Sequence, residues 1–139
     1  MVVRVLSKGE QTRERLICLG LRKDLPEVLA ALDIGLITSV GSEANSRAAL
    51  EFMASGKPVV GTSVGVIPEI VHDGEHGFIV GPRNSSETAV ALEKLLTSHI
   101  LRSKMGKAAR EHVEANFSLP RFGLMMESVY KKLLTARQA

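Results

Sequence analysis

The 139-residue chain has no tryptophan, one tyrosine and four phenylalanines, so aromatics make up only 4% of it. Single-stranded nucleic-acid binding uses aromatic platforms interleaved with a basic stripe. No such stripe is present, and nucleic acid is not an expected partner. A lone cysteine, Cys18, excludes a disulfide framework within the chain and suits a reducing compartment. Inside its apolar run it reads as a small buried hydrophobe. No apolar stretch reaches the ~20 residues that cross a bilayer, and the apolar run at residues 1–6 is too short for the core of a signal peptide. A cytoplasmic location is the expectation. Charge of one sign is scarce overall, with a net +3, yet residues 95–139 hold eight Lys/Arg against three Asp/Glu. That basic tail suits a solvated helix face, and it also suits peripheral contact with the anionic inner face of a membrane.

What the chain does have is ordinary globular composition, 45% hydrophobic and 24% charged, over a length that suits one domain, residues 1–139. Short apolar runs at 15–19, 34–38, 57–62 and 77–80 read as strands. Between them, 25–32, 46–55 and 68–71 read as helices, with Asp24 as an N-cap, Pro26 in a first turn and Gly56 closing the second helix. After Pro82 the period becomes helical: 85–97, 100–115 and 119–134 carry apolar stripes on one face, expected to pack on the core. Met125 and Met126 read as core filler. Continuous apolar strands separated by helices predict an α/β, Rossmann-like parallel sheet with helices on both faces. Ligands of such sheets sit beyond the carboxyl ends of the strands, which directs attention to loops 39–45, 63–67 and 75–77.

One segment carries the chemistry. Glu43 lies in a loop, Asn45 or Ser46 is a good N-cap for the following helix, and Glu51 lies about 8 Å further along that helix. The helix's free N–H groups and positive dipole end favour a phosphate or diphosphate. A carboxylate at Glu51 suits the vicinal hydroxyls of a ribose, and Glu43 suits the hydroxyls of a second sugar. The same residues also admit a plain reading, in which Arg47 and Glu51 form a surface i,i+4 pair and Glu43 is a solvated loop residue.

The motif series resembles the C-terminal, donor-binding half of the GT-B glycosyltransferases, specifically the retaining enzymes called family 4 or group 1. Glu43 and Glu51 form an E-x7-E pair, followed by K-P-V-V at 57–60, Val64-Gly65, P-E-I-V at 68–71, and a D-G-x-x-G-x-x-V turn from Asp73 to Val80. M-G-x-x-A-R at 105–110 and N-F-S at 116–118 continue it, so the resemblance spans 19–118. It implies transfer of a hexose-like sugar from a nucleotide-diphosphate sugar to an acceptor. Glu43 would lie at the reacting sugar, Glu51 would hold the ribose, and the backbone N–H groups of Asn45, Ser46 and Arg47 would cradle the diphosphate. Gly65 belongs to the glycine loop, and Glu69 is a secondary candidate for nucleotide contact. No cofactor is implied.

The sequence departs from the family in three places. Ala44-Asn45-Ser46-Arg47 stands where glycine-aromatic-glycine is common. Gly65-Val66 replaces Gly-Gly, so Val66 either narrows the sugar subsite or packs inward. Nothing before Leu19 matches the family's cationic diphosphate clamp, and the acceptor-binding domain is missing from this chain. These departures imply an N-terminally incomplete domain, inactive as an isolated fragment, whose sheet (order 3-2-1-4-5-6) has a gap beside the 34–38 strand. Residues 2–6 would fill it as a substitute strand, or the free edge would favour a homo-oligomer or strand swap. An alternative function is a non-catalytic binding or assembly module that keeps the fold. His72 and His76 have metal-ligand spacing, but Gly74 predicts a turn between them and no third ligand is evident, so no metal is expected.

Overall fold

Unbroken apolar runs with β-branched residues form the strands, as strands covered on both faces require. In the computed structural model, which describes Ile17 and residues 19–136, β1 (Gly35–Ile37), β2 (Val59–Thr62) and β3 (Gly77–Val80) pair in parallel in the order β1-β2-β3. Leu36 lies opposite Val60, and Val60 opposite Phe78. The central strand β2 is buried along its whole length. The expected strand at 2–6 and most of that at 15–19 fall outside the described residues, and Ile17 and Leu19 are exposed outside any strand. The described sheet therefore has three strands where four were expected. Among the described residues nothing pairs with the outer edge of β1, and Leu36 is exposed there.

The helices cover the two faces unequally. On one side Ile37 and Val59 meet Ala49 and Met53 of α2 (Arg47–Ala54), with Ile67 and Ile70 of α3 (Ile67–Ile70). On the other, Val60 and Val80 meet Ala91 and Leu95 of α4 (Ser85–Thr97). α5 (His99–Asn116) joins both clusters, giving Ala109 to the first and Met105 to the second. It can do so because Gly106 has no side chain: a Cβ there would stand 2.2 Å from the carbonyl oxygen of Gly56. Met53 and Leu95 are completely buried, each side chain contributing about 1.5–3 kcal/mol of transfer free energy.

Local signals hold well where capping is chemical. Asn84 accepts the Glu87 N–H at 3.0 Å at the start of α4, and Ser98 accepts the Leu101 N–H at 3.2 Å at the start of α5. Asp24 precedes the short helix α1 (Leu25–Ala30) but does not cap it, because its carboxylate is taken by Arg22. The larger correction concerns α6 (Leu119–Ala136). Its expected core face (Phe122, Met125, Val129 and Leu133) is exposed, and only Met126 of its two methionines is half-buried. The apolar stripe is real, but among the described residues nothing covers it.

Candidate functional site

Two loops at the carboxyl ends of β1 and β2 are tied into one unit. The Val66 N–H donates to the Glu43 carbonyl at 3.0 Å, and the Thr62 hydroxyl donates to the Ser39 carbonyl at 2.7 Å. The Ser39 hydroxyl in turn donates to Glu43 Oε2 at 2.5 Å, which holds that carboxylate while leaving Oε1 for another donor. Gly65 makes the approach possible. Its φ is +54°, and a Cβ would lie 2.1 Å from the Glu43 carbonyl oxygen. Val66 is half-buried against the first core cluster, so the bulkier residue of the Gly65-Val66 pair packs inward.

The start of α2 follows directly. Ser46 occupies the N-cap position but adopts a left-handed backbone, φ 37° and ψ 50°, and makes no capping hydrogen bond. Its hydroxyl is buried without a partner. A left-handed N-cap turns the side chain away from the first-turn amides it would otherwise serve. Among the described residues the amides of Asn45, Ser46 and Arg47 donate to no protein acceptor. The helix end therefore offers N–H groups and a positive dipole to an outside anion. One turn on, Arg47 Nη2 meets Glu51 Oε1 at 3.0 Å. The plain surface pair is thus present, but Arg47 is 84% exposed, so the pair is weak. Glu69 is exposed on α3 and makes no side-chain hydrogen bond or ion pair among the described residues. Glu43, Gly65 and the 45–47 amides thus belong to one end of the sheet, with Glu51 further along α2.

The third expected loop, 75–77, is at the wrong end: it precedes β3 and so lies at the amino end of the sheet. The carboxyl-end loop after β3 is 81–84. Arg83 and Asn84 there border a groove of about 350 Å³ shared with Thr38, Val40, Thr62 and Leu92. Sequence reasoning missed these two residues, although strand direction alone identifies that loop.

The family described as "Glycosyl transferases group 1" matches residues 3–98. The chain belongs to this family. A curated relative, D-inositol 3-phosphate glycosyltransferase of Corynebacterium diphtheriae, is 40% identical over 108 residues, covering 78% of this chain and 25% of the relative. The Anabaena protein HepE in complex with UDP matches with a TM-score of 0.84 and 26% identity, over 88% of this chain and 34% of that one. The C-terminal domain of the group 1 family protein LpcC from Francisella tularensis matches at TM-score 0.68 and 28% identity, over 79% of this chain and 60% of that domain. The group 1 chain thus has the Rossmann-like architecture of the C-terminal half of a GT-B glycosyltransferase. It spans about a quarter to a third of the length of the curated relatives it matches.

Proposed function

We propose that this chain forms the donor-binding part of a retaining glycosyltransferase that moves a hexose-like sugar from a nucleotide-diphosphate sugar to an acceptor. The observation that carries this reading is the uncapped start of α2, whose free amides stand beside the anchored Glu43 loop. A diphosphate accepted by the Asn45, Ser46 and Arg47 N–H groups would be stabilised most as it departs with the bonding electrons and its negative charge grows. Glu43 would accept hydroxyls of the sugar, and Glu51 those of the ribose. Gly65 holds the two loops together, and Glu69, in the first turn of α3, would approach the nucleotide. HepE, with structures in complex with UDP and with UDP-glucose, supports a nucleotide-sugar ligand. The resemblance puts the acceptor on a second domain, so these residues alone would bind donor without transfer, in the cytoplasm or on the inner face of a membrane.

Calorimetric titration with uridine and guanosine diphosphates and their sugar conjugates tests the reading. Saturable heat with one of them is expected, and silence with all of them sinks it. The exposed apolar face of α6 favours a second reading, an assembly module that keeps the fold. A folded chain that binds no nucleotide selects that one.

A further inference from the structure

At the opposite, amino end of the sheet three imidazoles meet. His72 and His76 lie in the turn between α3 and β3, and His112 comes from α5. The ring centroids are 4.7 Å apart for His72 and His76, 4.8 Å for His72 and His112, and 4.4 Å for His76 and His112. One nitrogen from each ring lies within 4.8 Å of the others. His76 is buried, His112 half-buried, and His72 exposed, which gives the group a path from solvent.

Packing alone does not favour this arrangement, since apolar side chains fill such a space without polar atoms to satisfy. Neutral imidazoles gathered from two elements are instead a donor set for borderline transition ions, whereas Mg²⁺ and Ca²⁺ prefer oxygen. The surroundings fit this as well. Glu75 Oε2 stands 3.4 Å from His72 Nδ1, the outer-shell carboxylate that fixes a ligating ring and frees its Nε2. Asn116 Nδ2 donates to the His112 carbonyl at 3.0 Å and stands 3.3 Å from His112 Nδ1, a ring contact that binding an ion gives up. Glu75 Oε1 is 3.8 Å from His76 Nε2, within reach of becoming a fourth ligand.

We propose that His72, His76 and His112 form a structural site for a divalent transition ion, Zn²⁺ by preference, clamping the turn before β3 to α5. Tetrahedral Zn–N bonds place ligand nitrogens about 3.4 Å apart, so from separations within 4.8 Å the rings close by at most roughly 1.4 Å. Ligation through His76 Nε2 exchanges the long 3.2 Å hydrogen bond that its Nδ1 accepts from the His72 N–H. Because the site lies at the far end of the strands from Glu43 and Gly65, nucleotide binding does not depend on the ion.

The test uses the tag-free chain stripped with chelator and titrated with Zn²⁺, Co²⁺ or Mg²⁺. About one equivalent of Zn²⁺ should bind at micromolar strength or better, with a melting temperature that climbs with metal concentration. Co²⁺ should develop the intense visible bands of a four-coordinate site, and Mg²⁺ should do nothing. His72→Ala keeps the fold because the side chain is exposed, and because it removes a ligand it should weaken Zn²⁺ by more than the about 10–100-fold that losing an outer-shell partner costs. His112→Asn, checked for folding by circular dichroism, should do the same. Zn²⁺ binding equally well to His72→Ala, or no Zn²⁺ binding by the parent chain, overturns the proposal.

Discussion

Ser46 carries two costs at one position: a left-handed backbone at φ 37° and a buried hydroxyl with no partner. The first is worth about 1–2 kcal/mol for an L-residue and the second about 1–3 kcal/mol. Glycine would remove both, at the expense of extra freedom in the unfolded chain. Ser46→Gly is therefore expected to stabilise the chain by about 1 kcal/mol in urea denaturation. A loss of stability would show that the hydroxyl has a structural role. Glu51 behaves differently. Its pair with Arg47 is solvent-exposed on the arginine side, so Glu51→Ala should shift stability by no more than ~0.5 kcal/mol. If Glu51 holds a ribose through charge-assisted hydrogen bonds of about 1.5–3 kcal/mol, the same change should weaken nucleotide binding about 10–100-fold by calorimetry. Unaltered affinity would remove Glu51 from the site.

At the scale of elements, the contact between the α3–β3 turn and α5 sets a pH dependence. Burial lowers the basicity of His76, helped by the neighbouring His112 and His72, while Glu75 pulls the other way. His112 is lowered by burial and by His72, again opposed by Glu75. The ordinary value is 6.5, so below it the unfolded chain binds protons that the native state refuses. The stability these groups allow is complete above about pH 6.5 and is lost as pH falls from there towards the lowered native values. In chelator-treated protein the urea midpoint should drop between about pH 7.5 and pH 5.5, and His112→Asn should flatten that drop. A parent midpoint that stays level across this window contradicts the burial-driven shift. The strand at 77–80 and the helix at 85–97 match their sequence-based limits because Gly77, Pro82 and the Asn84 cap punctuate the chain locally. Ser46 was legible as an N-cap position, but its failure to cap was not, because the left-handed turn answers to the packing around it.

For the whole molecule, the uncovered surfaces are the most telling. Among the described residues, the apolar face of α6 is exposed at Phe122, Met125, Val129 and Leu133, and no strand pairs with the outer edge of β1. Contiguous apolar surface and an open strand edge favour association. We expect sedimentation velocity to show a mass that rises with concentration. A well-folded monomer at high concentration would count against association through either surface. The first core cluster, by contrast, is complete within the described residues, joining β1, β2, α2, α3 and α5 around Met53 and Ile67.

By itself the sequence determined the parallel α/β layering, the family and the Glu43-to-Glu51 segment. Those signals are short-range: hydrophobic period, caps and turns, and a motif that lies within one strand–loop–helix unit. Only the tertiary structure decided that Val66 packs inward, that loop 75–77 is at the amino end, that α6 leaves its apolar face open, and that His112 joins His72 and His76. Each of these depends on which surfaces meet across long stretches of chain. A periodic stripe identifies the side of a helix that would be buried, but the partner that buries it, or the ring that completes a cluster, arrives from elsewhere in the fold.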